Sequence, residues 1–243
     1  MARLILVHGF TQTAASWDAI EYRLTALGHD VVALDAPGHG SHHDTHLGLW
    51  PAADLLAAEG GAGTWVGYSM GGRLALHIAL SHPDVVERLV LVGATPGIET
   101  AVERIERQAS DDLLAEELER DGIEAFLSRW LAQPLFASLP DDSAGMDARR
   151  SNTVAGLAAS LRLMGTGAQE PLWDRLHEIV APTMLVVGAL DEKFSAIAQR
   201  MTAAMPDAHV ASLIGCGHAC HLEAPDAFVG AVDSFVNEPA AQH

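Results

Sequence analysis

The stretch Thr64-Trp-Val-Gly-Tyr-Ser-Met-Gly-Gly-Arg73 decides the fold of this 243-residue chain. An apolar run at residues 64–66 predicts a buried strand, and residues 70–80 predict a helix. Between them, residues 67–71 have the form G-x-S-x-G, in which a strained strand-to-helix turn presents a nucleophilic serine, Ser69, at the carboxyl end of a sheet. The alternative is a glycine-rich turn whose serine only caps the helix.

A serine nucleophile needs a base and an acid that orients the base, and in this arrangement both follow the serine in the chain. Asp191 comes just after an apolar run at residues 183–187, so its carboxylate is expected at the same sheet edge as Ser69. His218 lies in a glycine-containing loop before the last predicted helix. We predict that His218 accepts the serine proton and that Asp191 orients His218. His221 is an alternative base, and Asp191 could also cap the helix that follows it.

An oxyanion needs preorganised donors, and two backbone N–H groups are placed to provide them. One belongs to Met70, directly after the serine, and the other to Phe10, which follows the first predicted strand. A turn at residues 35–40, after the second strand, is typical of the same architecture. We therefore predict that the N–H groups of Phe10 and Met70 form an oxyanion hole.

Short apolar runs alternate with helical stretches, which predicts a parallel sheet covered by helices on both faces. The expected strands lie at residues 4–7, 31–34, 64–66, 89–92 and 183–187. Residues 98–176 show only helical periodicity, interrupted by prolines and glycines. We predict a doubly wound α/β fold, with a core at residues 1–97 and 177–243 and a helical lid at residues 98–176.

The chain is strongly acidic, with 14 Lys and Arg against 32 Asp and Glu and a formal net charge of −18. This charge disfavours binding to nucleic acid or to anionic membranes, but not to a small anion. All basic residues are Arg except Lys193. Cys216 and Cys220 are too few for a disulfide scaffold. Since no signal peptide and no apolar run of about 18 residues is recognised, we expect a cytoplasmic protein.

The serine turn and the chain order of the three catalytic candidates resemble the α/β-hydrolase superfamily, over residues 1–97 and 177–243. Four further segments narrow the resemblance to one family. They are similar to the 2-succinyl-6-hydroxy-2,4-cyclohexadiene-1-carboxylate synthases of menaquinone biosynthesis, and comprise Ile105-Glu-Arg-Gln, Trp130-Leu-Ala-Gln-Pro-Leu-Phe-Ala-Ser-Leu139, Arg149-Arg-Ser-Asn and Asp191-Glu-Lys-Phe194.

This resemblance implies a lyase that forms no acyl-enzyme. In that family the serine and histidine remove a proton from a small polycarboxylate substrate, and pyruvate is eliminated without cofactor or metal. Guanidinium groups bind carboxylates well, and position by position the resemblance implies that Arg73, Arg107 and Arg150 do so. It also implies that Trp130 and Lys193 line the same pocket. The alternatives are a carboxylesterase or lactonase that works through an acyl-enzyme, and a non-catalytic binding module.

Simpler structural interpretations exist for some of these residues. Arg107 could pair with Glu103 along a helix, Trp130 could belong to the lid core, and Arg149 is expected to face solvent beside Arg150. Residues 39–46 contain four histidines and an aspartate, which suggests a metal site. Their spacing fits no standard ligand pattern, so we predict no metal ion.

Overall fold

A computed structural model of the chain describes residues 1–238, and the last five residues of the predicted core segment, 239–243, lie outside the described residues. The strands are β1 (Arg3–Val7), β2 (Asp30–Leu34), β3 (Gly63–Tyr68), β4 (Val86–Val92), β5 (Thr183–Gly188) and β6 (Ala208–Leu213). They form one sheet in the order β2-β1-β3-β4-β5-β6, and every neighbouring pair is parallel. The predicted parallel α/β architecture is confirmed.

The helices follow the strands along the chain. They are α1 (Asp18–Ala26), α2 (Leu49–Gly60), α3 (Met70–Ser81), α4 (Ala101–Leu131), α5 (Met146–Arg150), α6 (Val154–Met164), α7 (Glu192–Ala204), α8 (Cys220–Glu223) and α9 (Pro225–Asn237). Among residues 1–238, no helix combines the length and the apolar character needed to cross a membrane.

The side chains of β1 show why its sequence is a continuous apolar run. Leu4 and Leu6 pack in the cluster that includes α1 and α9, whereas Ile5 and Val7 pack in the cluster that includes α2 and α3. All four side chains are fully buried. Since successive residues of a strand point to opposite faces, a strand covered on both sides must be apolar at every position.

The edge strand β6 is absent from the strands predicted above. Its sequence, Ala-His-Val-Ala-Ser-Leu, contains two polar residues and two alanines, and among its residues only Leu213 is buried. An edge strand pairs on one side only and is covered less completely than a central one. The apolar run that marks the central strands is therefore missing from β6.

Helices α4, α5 and α6 occupy the connection between β4 and β5, which are neighbours in the sheet. Helix α4 is broken at Gly122, where φ is 78° and ψ is 173°. The two halves pack against α6 through a separate apolar cluster that includes Leu118, Phe126, Leu157 and Leu161. This cluster is distinct from the two clusters on the sheet, and Phe10 packs both against it and against the cluster that includes α2 and α3.

Candidate active site

Ser69 occupies a strained turn between β3 and α3. Its φ of 51° and ψ of −105° are unfavourable for a residue with a side chain. A Cβ atom at Gly67 would overlap the backbone of Gly71, and one at Gly71 would overlap the carbonyl of Val7. Both glycines of the G-x-S-x-G pattern are thus required by close backbone contacts, and the turn holds Ser69 at the carboxyl end of β3.

His218 connects Ser69 to Asp191. Its Nδ1 lies 2.9 Å from Asp191 Oδ2, and its Nε2 lies 3.2 Å from Ser69 Oγ. Because a carboxylate only accepts, Nδ1 carries the proton and the neutral ring leaves Nε2 free to accept from the serine hydroxyl. Asp191 also caps α7, since its Oδ1 accepts from the N–H of Phe194 at 3.1 Å. One carboxylate therefore orients the base and starts a helix.

His221, the alternative base, lies outside the hydrogen-bonded chain of Ser69, His218 and Asp191. Its ring is fully buried between Trp17 and Tyr68, with ring centroids 4.6 and 4.3 Å away. Burial, with a smaller contribution from His218 and Arg149, lowers the pKa of His221 to about 3. It makes no hydrogen bond to Ser69 or Asp191 in the described structure, so the geometry favours His218 over His221 as the base.

The loop that carries His218 is held by Glu223, a residue the sequence interpretation did not single out. Glu223 Oε2 accepts from the N–H of Gly217 at 2.7 Å, and Oε1 accepts from the N–H of Ala219 at 3.1 Å. The carboxylate thus binds the backbone on both sides of His218. Nothing in the sequence marks this contact, because every residue except proline offers a backbone N–H.

The loop of the predicted oxyanion hole lies beside Ser69, and Phe10 and Met70 line the same cavity as the serine. Thr11 has a φ of 68°, in the left-handed region. Asn152, between α5 and α6, donates from Nδ2 to the Thr11 carbonyl at 2.8 Å, and Gln12 Oε1 accepts from the N–H of Gly9 at 2.9 Å. These bonds fix the strained loop.

The turn at residues 35–40 is hydrogen-bonded to the chain just after the loop that carries Phe10. Asp35 accepts from the N–H of Ala14 at 2.7 Å and of Ser41 at 2.8 Å. Burial acts to raise the pKa of Asp35, but these hydrogen bonds and the nearby His8 lower it below its usual value. His8 is itself fully buried, and desolvation lowers its pKa to about 4, so it is a neutral structural residue.

A cavity of about 140 Å³ opens at Ser69 and His218 and is lined by several cations. Arg73 is 7% exposed, and its guanidinium donates to the carbonyl of Met164 at 2.6 Å. Burial, followed by the charge of Arg107, lowers the pKa of Arg73 to about 10, which leaves it charged at neutral pH. Lys193 lines the same cavity.

Arg107 also lines the cavity, but its helical partner differs from the one expected. Its Nε donates to Asp111 Oδ1 at 2.8 Å, and Asp111, fully buried, also accepts from the N–H of Gly167 at 3.2 Å. Glu103 instead accepts from the hydroxyl of Thr100 at the start of α4.

Trp130 packs near Phe10 and Phe136, whose ring centroids lie 5.0 and 6.0 Å from its own. It lines the cavity, and its buried Nε1 has no hydrogen-bond partner among residues 1–238. Trp130 is therefore part of the apolar cluster and at the same time part of the cavity wall.

The expectation for Arg149 and Arg150 is wrong. Arg149 is 2% exposed and lines the cavity, whereas Arg150 is exposed and donates to Glu124 at 2.8 Å and Asp147 at 3.1 Å. Successive helical residues point about 100° apart, so only one of the two can face inward. Burial lowers the pKa of Arg149 to about 10. The inward-facing member is Arg149.

The histidines at residues 39–46 do not converge. His39 is buried and bonds to the carbonyl of Pro37, while His42 pairs with Glu59 and His43 with the carbonyl of Gly40. In the part of the chain that the structure describes, no group of three or more His, Cys, Asp or Glu side chains has an arrangement suited to a metal ion.

A model of the alpha/beta hydrolase family matches residues 4–231. A Bacillus subtilis (strain 168) protein, provisionally named 2-succinyl-6-hydroxy-2,4-cyclohexadiene-1-carboxylate synthase, is 36% identical over 96% of this chain and 89% of its own length. An Enterobacter sp. (strain 638) protein with the same enzyme name is 32% identical over 92% of this chain and 87% of its own length.

Among solved structures, MenH from S. aureus is 32% identical and superimposes with a TM-score of 0.89 over 96% of this chain and 92% of that one. A thermophilic esterase from Thermogutta terrifontis is 21% identical, with a TM-score of 0.81 over 97% of this chain and 89% of its own. The esterase shares the fold, whereas the first structure shares both fold and sequence.

Proposed function

The chain belongs to the alpha/beta hydrolase family and, within it, to the 2-succinyl-6-hydroxy-2,4-cyclohexadiene-1-carboxylate synthases, and from this membership we propose that it is a cofactor-independent lyase of menaquinone biosynthesis. Its substrate is 2-succinyl-5-enolpyruvyl-6-hydroxy-3-cyclohexene-1-carboxylate, and it releases pyruvate. We place the reaction in the cytoplasm, where Cys216 and Cys220 would remain free thiols.

The observation that carries this proposal is the charge of the cavity. In a chain of net charge −18, the cavity at Ser69 is lined by Arg73, Arg107, Arg149 and Lys193. Among residues 1–238, the only acidic side chain in the same lining is Asp111, which is paired with Arg107. The proposed substrate carries three carboxylates, on the ring, the succinyl chain and the enolpyruvyl group. Arginines suit such groups, because each can bind a carboxylate through two hydrogen bonds.

The reaction follows from comparing substrate and product. Ring carbon 2 loses a proton, the double bond between carbons 3 and 4 moves to carbons 2 and 3, and a second forms between carbons 4 and 5. The bond from carbon 5 to the enolpyruvyl oxygen breaks, and the departing enolate gains a proton to become pyruvate. Carbon 2 is adjacent to the succinyl carbonyl, so negative charge develops on that carbonyl oxygen as the proton leaves.

Each catalytic residue has a separate role in this reaction. Ser69, deprotonated by His218, takes the proton from carbon 2, and Asp191 holds His218 in the tautomer that accepts. The N–H groups of Phe10 and Met70 bind the developing oxyanion. The first N–H groups of a helix have no partner within it, which leaves that of Met70 available. No acyl-enzyme is needed, since no ester bond is cleaved.

The substrate carboxylates are bound by Arg73, Arg107 and Arg149, and the cavity wall includes Lys193 and Trp130. We propose that residues 98–176 act as the lid over a core formed by residues 1–97 and 177–243. Arg107, Trp130 and Arg149 come from this lid segment, so a closed lid would bring binding groups to the catalytic serine.

A pyruvate-release assay on the purified protein tests the proposal. Addition of the enolpyruvyl substrate should release one pyruvate per turnover, and Ser69→Ala and His218→Ala should each lower kcat by at least about 10³-fold. Rapid cleavage of short p-nitrophenyl esters with a burst, and no pyruvate from the pathway substrate, would instead establish an esterase.

A further inference from the structure

A second cavity lies behind the active site, between α1, the segment at residues 141–148 and the start of α9. Its volume is about 330 Å³. The inner end is formed by Gln12, Ile20, Ala144, Arg149 and His221, all of them buried. We refer to it as the rear cavity, and to the cavity at Ser69 as the front cavity.

The inner end of the rear cavity holds buried polar atoms that the protein leaves without partners. Gln12 is 2% exposed and His221 is fully buried. Within residues 1–238, neither Gln12 Nε2 nor either ring nitrogen of His221 has a hydrogen-bond partner. The Gln12 amide nitrogen can only donate, and the neutral imidazole has one N–H to donate. Leaving such buried groups unbonded costs about 1–3 kcal/mol each, so a ligand that accepts from them would be stabilised here.

Arg149 is shared by the two cavities and adds a cation to these donors. Its Nε donates to the carbonyl of Ala144 at 2.6 Å, and Nη1 donates to the hydroxyl of Thr11. No carboxylate among the described residues pairs with it, although it is 2% exposed. A guanidinium, an amide NH₂ and an imidazole N–H at one site select an anion with oxygen acceptors.

The outer part of the rear cavity determines the kind of anion that the site accepts. Its walls include Ala15, Ala19, Ala148 and Leu222, which suit a short apolar group rather than a second charge. The acidic side chains in the lining, Asp18 and Asp142, are exposed, and the further cation of the lining, Arg23, is already paired with Asp226 at 3.0 Å. They would repel a ligand that carries a second carboxylate at the mouth.

We propose that the rear cavity is a binding site for a small monocarboxylate, held at its inner end by Arg149, Gln12 and His221. The identity of the ligand rests on the proposed function: it is the pyruvate that the reaction releases, which Arg149 passes from the front cavity to the rear one. The larger product carries a second carboxylate, which Asp18 and Asp142 would repel, and it leaves through the front.

Direct binding of ¹³C-labelled pyruvate, and of acetate as a second carboxylate, tests the site by NMR titration of the whole protein. Wild type should bind pyruvate in the rear cavity. Ala19→Leu narrows that cavity from an exposed position on α1, and His221→Phe removes its unpartnered nitrogens while keeping an aromatic ring. Each should weaken pyruvate binding at least about tenfold. Ala26→Leu, the same change at an exposed position on α1 outside the rear cavity, is the matched control and should bind as wild type does.

Arg73→Met distinguishes the two cavities, because Arg73 lines only the front one. Pyruvate binding that survives Arg73→Met and is lost in the two rear-cavity variants supports the proposal. Equal binding by all variants, loss in Arg73→Met alone, or no binding to wild type overturns it. These titrations need no turnover, so their result is independent of the pyruvate-release assay. If that assay failed, the proposed function would be wrong, but a carboxylate site in the rear cavity could still be demonstrated by the titrations.

Discussion

Arg149 and Arg150 are neighbours in α5, yet their guanidinium groups lie in opposite environments. Arg149 is buried where it lines the cavity at Ser69, and no carboxylate in the described structure pairs with it. Arg150 lies at the surface between Glu124 and Asp147. The uncompensated buried cation is the one that a carboxylate ligand would neutralise, whereas the exposed one is already paired.

These two arginines therefore form a matched test of substrate binding. Arg149→Gln removes a charged donor from the cavity, and since a hydrogen bond to a charged group contributes about 1.5–3 kcal/mol, kcat/KM for pyruvate release should fall roughly 10- to 150-fold. Arg150→Gln should change it less than about twofold, because exposed ion pairs contribute little. Steady-state kinetics on both variants, with melting temperatures to verify folding, check this. Equal losses in the two would contradict it.

The double role of Asp191 gives a second prediction. Asn at a helix N-cap is as good as Asp, so Asp191→Asn should retain the bond to the N–H of Phe194 and melt close to wild type. The Asn side-chain amide can donate to the His218 ring, which favours the tautomer that cannot accept from Ser69. We expect kcat to fall about 10³- to 10⁴-fold with folding intact. Activity within tenfold of wild type would show that Asp191 does not set the tautomer.

Much of the catalytic site can be predicted from sequence, because the residues that follow parallel strands lie at one edge of the sheet. Ser69 follows β3 and Asp191 follows β5, so apolar runs and a turn motif suffice to place both there. His218 follows β6, which is too polar to be recognised, but the glycines around it mark a loop. The sequence pattern is least informative where structure depends on partners distant in the chain.

The inward side of α5 is one such case. This helix has five residues, too few for an apolar stripe to show which arginine faces the cavity. Glu223 is another, because its partners are backbone N–H groups, which no residue type identifies. The third is Asp111, which is buried and accepts from the N–H of Gly167, in a different part of the helical segment. Each requires the three-dimensional structure.

Glu223 should act as a positioning residue for His218. Glu223→Gln keeps the size of the side chain but leaves a single acceptor oxygen, so one of the N–H groups of Gly217 and Ala219 loses its partner. We expect kcat to fall about tenfold while KM stays within about twofold, because His218 moves and the arginines do not. Glu192→Gln, the same charge change at an exposed position, is the control and should retain wild-type kinetics. A change confined to melting temperature would assign Glu223 a structural role only.

Buried neutral histidines make stability depend on pH in the acid range. Burial lowers the pKa of His221 to about 3, from 6.5 for a histidine in water. As pH falls below 6.5, the unfolded state binds a proton that the folded state excludes. The stability from this group is therefore fully present above pH 6.5 and is lost progressively toward pH 3, by up to about 1.4 kcal/mol per pH unit. His8 and His39, with pKa values lowered to about 4 and 3 by burial, act in the same direction.

His221→Phe isolates one of these contributions. The variant keeps an aromatic ring between Trp17 and Tyr68 but cannot be protonated. The slope of unfolding free energy against pH measures the number of protons taken up on unfolding, and this number should decrease by about one between pH 6 and 4. At pH 7 the variant should be at least as stable as wild type, because two unpartnered buried nitrogens are removed. Urea unfolding across this pH range measures both quantities. An unchanged slope would mean that His221 is protonated in the folded protein, which its fully buried, unpartnered ring does not favour.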